Sequence, residues 1–169
     1  MPEPILAVSG VSKTYKGGFT ALHSVELTIN KGEIFALLGP NGAGKTTTVK
    51  IISTLMKPSE GSVTIDGVDA LADPRRARSI IGLSGQYSAV DENLTGRENL
   101  RMIGGLYGIP RAALKRRGAD LLEQFSLTAA ADKQVKAYSG GMRRRLDLAM
   151  ALIHAPEVLF LDEPTTGLD

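Results

Sequence analysis

At 169 residues, with 43% hydrophobic and 22% charged side chains, the chain is long enough for one soluble domain with a sizeable core. A net charge of +2 gives no argument for nucleic acid or an anionic membrane as partner, and the absence of cysteine excludes disulfides, thiolate catalysis and Cys-ligated metal. Met1-Pro2-Glu3-Pro4 does not open a signal peptide, and no run approaches the ~20 apolar residues of a membrane span, so any membrane role is expected to come through a partner.

Ile5 to Tyr15 reads as a strand. Lys16-Gly17-Gly18-Phe19 is a turn with two residues tolerant of positive φ, so Thr20 to Ile29 is expected to return antiparallel. A turn at Asn30-Lys31-Gly32-Glu33 leads into Ile34 to Leu38, a continuous apolar run of the kind that forms a strand buried on both faces. Thr46 to Met56 places Val49, Ile52 and Met56 at helical spacing, with Pro58 as the stop. Gly61 to Gly67 alternates as a strand. Asp73-Pro74, a cap followed by proline, opens a short helix whose Arg75, Arg76 and Arg78 read as a solvated face. Ile80 to Leu83 is another apolar strand, ending in Ser84-Gly85-Gln86.

From Thr95 the texture turns helical. Thr95-Gly96-Arg97-Glu98 is a capping box, Leu100, Ile103 and Tyr107 share a face, and Gly108 with Pro110 closes the helix. A second helix from about Arg111 to Phe125 puts Leu114, Leu121 and Phe125 on one side and Lys115, Arg116 and Arg117 outside. Ser139 caps a third, with Leu146, Ala149, Met150 and Ile153 as its apolar stripe and Pro156 beyond it. Val158 to Leu161 reads as a final buried strand leading into Asp162-Glu163. The pattern predicts an α/β fold: a core from 1–94 and 155–169, with a helical subdomain over about 95–154 inserted into it.

Three segments carry chemistry. Gly39-Pro40-Asn41-Gly42-Ala43-Gly44-Lys45-Thr46-Thr47 fits G-x-x-x-x-G-K-[ST] between an expected strand and helix. Its glycines let backbone N–H groups approach an anion, the helix start adds the positive end of its dipole, Lys45 can reach β- and γ-phosphates, and the Thr46 hydroxyl suits Mg²⁺. Asp162 follows four apolar residues at the carboxyl end of a strand, where a carboxylate can hold Mg²⁺, and Glu163 beside it can deprotonate a water. Alone, Asp162 could equally cap a turn. Ser139-Gly140-Gly141 offers a hydroxyl and two glycine amides at a helix start, which is either an anion site or a simple cap.

In this order, together with Gln86 and with Val158-Leu159-Phe160-Leu161-Asp162-Glu163-Pro164 and Gly167-Leu168-Asp169, these segments resemble the ATP-binding cassette ATPases over almost the whole chain. Ser84 to Gly96 is similar to the subgroup of bacterial exporters typified by daunorubicin-resistance ATP-binding subunits. The resemblance implies a P-loop core with an N-terminal antiparallel β part. It also implies MgATP as ligand, Tyr15 stacking on adenine, Gln86 touching both Mg²⁺ and the attacking water, and Glu163 as base. It implies a homodimer in which Ser139, Gly140 and Gly141 of one subunit cover the γ-phosphate held by the other, with Asp169 across the interface. The partner would be an integral-membrane permease at the cytoplasmic face of the cell membrane, with no nucleic acid bound. The alternative class, a non-transport cassette ATPase acting on nucleic acid or ribosomes, often carries two cassettes or long insertions, and neither is visible in the sequence.

Two departures stand out. Met142 replaces the family's usual glutamine, which removes one half of a capping box at a cost on the order of 0.5 kcal/mol. The chain also stops at Asp169, ahead of the family's switch histidine, so it looks like the N-terminal part of a longer subunit and is expected by itself to bind nucleotide weakly and hydrolyse little. His23 and His154 read as structural.

Overall fold

The structure is a computed structural model describing residues 4–85 and 90–161. The fold is α/β, with two compact units, Met1–Ile81 and Gly82–Asp169.

In the first unit, β1 (Pro4–Thr14) and β2 (Thr20–Asn30) form the expected hairpin, and β3 (Glu60–Ile65) and β4 (Val68–Asp69) complete an antiparallel sheet of order β2-β1-β3-β4. Cross-strand pairs such as Leu6 with Ile65 and Val8 with Val63 put fully buried aliphatic side chains on one face. The β1–β2 ladder shifts register after Val8; there Gly10 turns to φ 62° and its freed N–H donates to Glu26 Oε1 at 2.7 Å. The helices are α1 (Lys45–Ile52) and α2 (Pro74–Ser79), the latter capped as expected by Asp73, whose carboxylate accepts from Arg76 N at 3.0 Å.

Residues 34–38 form no strand. Ile34 is 101% exposed and Leu38 87%, because an all-apolar strand needs neighbours on both edges and no strand among the described residues pairs with it. The helix expected to run to Met56 ends at Ile52. Thr54 turns into the left-handed region at φ 62°, and the N–H groups of Leu55 and Met56 fold back onto Lys50 O.

The second unit begins within β5 (Ile81–Ser84), which pairs with β6 (Val158–Leu161). β6 forms where expected but alternates between exposed and half-buried residues, since only one neighbour covers it among the described residues. Between them come α3 (Gly96–Leu106), α4 (Arg111–Gln124), short 3₁₀ turns at Thr128–Ala130 and Val135–Ala137, and α5 (Gly140–Ala151). Leu100, Leu114, Leu121, Leu122, Leu146 and Ile153 belong to their common core, with Tyr138 and Met150. The Thr95–Glu98 capping box forms with both of its hydrogen bonds, and the N–H and hydroxyl of Thr95, both donating to the Glu98 carboxylate, hold it below the usual carboxylate range. Tyr107 does not reach the core; it stacks on His154 at 3.8 Å between ring centroids. Arg117 does not point outward either: Nη2 donates to Leu152 O at 2.9 Å, at the end of α5, where a cation offsets the helix dipole.

Thr54 combines a left-handed backbone with a buried hydroxyl that has no hydrogen-bond partner among the described residues. Thr54→Gly is therefore expected to stabilise the chain by about 1 kcal/mol, since relief of both outweighs the added freedom of the unfolded glycine. Chemical denaturation of the two proteins measures it; a lower midpoint for the variant contradicts it.

Candidate functional site

The loop at 39–47 takes its shape from close packing and not from a strand before it. Gly44 sits at φ 85° directly ahead of α1, and a Cβ there would lie 2.5 Å from Leu22 Cδ2 and 2.8 Å from Ala21 O on β2. Only glycine satisfies both the backbone angle and the space. Gly42 is also at φ 85°, with Ala43 N donating to Pro40 O at 3.2 Å to close the turn. The start of α1 carries no side-chain cap and no acidic residue in its first turn, so its N–H groups and positive dipole end are left for a ligand anion. Lys45 Nζ donates to the carbonyls of Gly39 at 2.6 Å and Pro40 at 2.8 Å, which holds the ammonium over the loop. A phosphate would compete with those two carbonyls for the same charge. The Thr46 side chain is exposed beside it.

Tyr15 belongs to the same surface. It is 37% exposed, its hydroxyl lies 3.2 Å from Thr47 Oγ1, and its ring stacks with Phe19 at 6.5 Å. A partly free aromatic face therefore stands next to an anion cradle, which fits a base-plus-phosphate ligand. Asn41 and Ala43, with Pro40, are exposed loop positions.

In the second unit Ser139 is the N-cap of α5, and its Oγ accepts from Met142 N at 3.2 Å. Ser139 and Gly140 are exposed, and a Cβ on Gly140 would meet nothing within 4 Å, so that face is open to a ligand. Tyr138 before them is buried and donates its hydroxyl to Ala130 O at 2.7 Å; burial also raises its pKa. The exposed Ser139 and Gly140 thus stand on a fixed base. Met142 packs against the helical core, which gives an apolar side chain a use at a position where a capping residue was expected.

Three arginines that follow tie the start of α5 to its surroundings, and sequence reasoning gave them no role. Arg143 Nη1 pairs with Glu92 at 2.7 Å, Arg145 Nη1 donates to Phe125 O at 3.0 Å, and Arg144 Nη1 donates to Gly85 O at 2.8 Å and to Asp147 Oδ2 at 3.3 Å. Asp147 Oδ2 also accepts from Ser84 Oγ at 2.5 Å. Arg144, Asp147 and Ser84 are 7%, 4% and 0% exposed. This buried cluster joins the helix after Ser139 to the end of β5, immediately before Gln86. The one signal in the sequence was an Arg and an Asp three residues apart beside an apolar stripe, which by spacing alone is an ordinary surface pair.

Gln86, Asp162, Glu163 and Asp169 lie outside the described residues. Of the expected Mg²⁺ ligands the structure therefore places Thr46 alone, whose exposed hydroxyl at the loop fits a hard cation next to phosphate. No group of three His, Cys, Asp or Glu side chains among the described residues could hold a metal.

The family profile described as ABC transporter matches residues 22–166. The chain is 52% identical over 165 residues to the doxorubicin resistance ATP-binding protein of Mycobacterium tuberculosis, covering 97% of this chain and 50% of that protein. It is 56% identical over 149 residues to a daunorubicin resistance ATP-binding protein of Streptomyces coeruleorubidus, covering 88% and 46%. The chain thus spans about half the length of these relatives. Among solved structures it is similar to cbiO1 from Clostridium perfringens, part of the ABC transporter complex cbiONQ, with a TM-score of 0.88, 28% identity and coverage of 99% of this chain and 68% of that one.

Two substitutions test this geometry. Gly44→Ala is expected to destabilise the first unit by about 2–3 kcal/mol, through an imposed clash and a strained φ; a variant with unchanged thermal midpoint would show that the loop does not rest on β2. Asp147→Ala removes the carboxylate shared by the buried Arg144 and Ser84 and is expected to cost about 3–5 kcal/mol, with Asp147→Asn costing less because it retains an acceptor for Ser84. An Asp147→Ala midpoint equal to that of the unsubstituted chain would count against the ion pair, and equal midpoints for the two variants against the Ser84 bond.

Proposed function

Because the chain belongs to the ABC transporter family, we propose that it is part of the ATP-binding and hydrolysing subunit of an exporter, powering efflux of a drug or other hydrophobic compound through a separate membrane permease. The observation that carries the reading is the uncapped, glycine-lined start of α1 with the Lys45 ammonium held above it. The resistance proteins among its relatives support efflux as the direction.

In this reading the N–H groups around Gly42, Gly44 and the first turn of α1 hold the phosphates of ATP, and Lys45 leaves its two carbonyls for the β- and γ-phosphate oxygens. Tyr15 stacks on the adenine. Thr46, Gln86 and Asp162 would hold Mg²⁺, which when bound neutralises charge on the β- and γ-phosphates. Gln86 orients the attacking water with its neutral amide, and Glu163 accepts the proton as the water attacks in line. Ser139, Gly140 and Gly141 of a second copy close over the γ-phosphate, so each site is shared by two subunits. The ATPase is peripheral, attached at the cytoplasmic face through the permease; no helix among the described residues is long and apolar enough to cross a membrane.

In the complete transporter, Glu163→Gln is expected to keep ATP binding while lowering hydrolysis by about 10²–10⁴-fold, the usual worth of a general base, and Lys45→Ala to weaken binding itself. Nucleotide binding and phosphate release measured on membranes in which the ATPase copurifies with its permease separate the two effects. Undiminished turnover in Glu163→Gln would sink the proposed mechanism, and copurification with ribosomes or DNA in place of a permease would sink the exporter reading.

A further inference from the structure

We propose that Phe19 is a second base-contacting residue, which forms with Tyr15 a two-ring surface for the purine of a nucleoside triphosphate held at 39–47. The proposal rests on the reading of that loop as a nucleotide site and adds a residue to it.

A single exposed Phe needs no function to explain it; the place of Phe19 is what matters. Thr14 and Thr20 are the outermost paired residues of β1 and β2, with their hydroxyl oxygens 3.0 Å apart. One step further out, Tyr15 N donates to Phe19 O at 2.8 Å, and Gly18 N donates to Tyr15 O at 3.1 Å. Tyr15 and Phe19 are therefore a cross-strand pair, and side chains so paired stand on one face of a hairpin. Their rings lie 6.5 Å apart between centroids and within 22° of parallel. Gly17 and Gly18 close the turn at φ 102° and 86°, where side chains are disfavoured, and a Cβ on either would meet nothing within 4 Å. The tip of the hairpin thus puts no side chain over the two rings.

The rings differ in how firmly they are held. The Tyr15 hydroxyl lies 3.2 Å from Thr47 Oγ1 and 3.6 Å from Met56 Sδ. The Lys13 ammonium stands 5.8 Å from its ring centroid and donates to Lys57 O at 2.7 Å. Phe19 is 66% exposed against 37% for Tyr15, and among the described residues Tyr15 is the one aromatic ring it meets. The bond to Thr47 ties the pair to the first turn of α1, the same turn that carries Lys45. A base whose phosphates lie at the start of α1 meets Tyr15 there, and Phe19 extends that aromatic surface away from the loop. Stacking a base on Phe19 would also cover the carbon that the hairpin leaves in water.

The side chain further limits what it can select. Phe19 offers a π-face and no donor or acceptor, so it rewards stacking area and does not read the groups that separate adenine from guanine. A two-ring purine covers more of such a surface than a one-ring pyrimidine.

The test measures the affinity of the complete transporter for ATP, GTP, CTP and inorganic tripolyphosphate, which keeps the phosphates and lacks the base. Phe19→Ala is expected to weaken ATP and GTP by about fivefold or more, CTP by less, and to leave tripolyphosphate within about twofold. Phe19→Trp retains ATP affinity, whereas Phe19→Leu, which keeps apolar bulk without a ring, behaves as Phe19→Ala. Thermal unfolding checks that the hairpin variants stay folded, and the Leu variant carries the comparison should the Ala variant not. Lys45→Ala separates this proposal from the reading beneath it. If ATP and tripolyphosphate bind in a Lys45-dependent way and Phe19→Ala leaves ATP unmoved, the role of Phe19 fails while the nucleotide site stands; if neither binds the unsubstituted protein, both fail. Equal losses for ATP and tripolyphosphate, or a Leu variant that binds ATP as tightly as the Trp variant, would also overturn the proposal.

Discussion

The first unit depends on there being no room for a side chain at Gly44. The start of α1 is pressed against Ala21 and Leu22 of β2 so closely that a Cβ would collide with a carbonyl oxygen and a methyl group. That contact aims the first turn of the helix, and with it Lys45 and Thr46, at one surface. It also leaves no place for a capping side chain, so the helix start keeps its N–H groups available. Tyr15 reaches the same surface from β1 through Thr47. The chemistry of the loop thus follows from packing that has no chemistry of its own.

In the second unit the equivalent constraint is electrostatic. Two opposite charges buried together are tolerated only when their remaining bonds are satisfied, and here Ser84 and the Gly85 carbonyl contribute to that around Arg144 and Asp147. The cluster therefore locks α5 to the end of β5 at a distance of more than 60 positions along the chain. Tyr138 anchors the other side of the same helix start. Between these two fixed points Ser139 and Gly140 remain exposed. An open segment on a rigid base costs little reorganisation when a ligand meets it.

The uneven distribution of charge shows why a net value is a poor guide to surface. A chain with a balance of +2 still places four cationic side chains along one groove between α3 and α4, since net charge sums over faces that never meet. The same lesson applies to Arg143, Arg144 and Arg145, which look like a solvated run and are each committed to a different partner.

Much of the local structure was legible in the residues. The Thr95–Glu98 capping box, the Asp73 and Ser139 caps and the hairpin at Gly17-Gly18 all follow from hydrogen bonds and steric limits that span a few residues, and such rules act before any tertiary contact exists. Burial was not legible in the same way. Residues 34–38 have the composition of a core strand and lie exposed, β6 is half covered, and Thr54 ends α1 in a conformation its side chain disfavours. Hydrophobicity states what a segment would gain by being covered, but not whether a neighbour is there to cover it. The residues by themselves determined the caps, the turns, the glycine-rich loop and the family. Tertiary structure alone decided that Gly44 must be glycine because of Leu22, that Asp147 holds Ser84 and Arg144, and that four cations face one groove, because each depends on atoms brought together from distant parts of the chain.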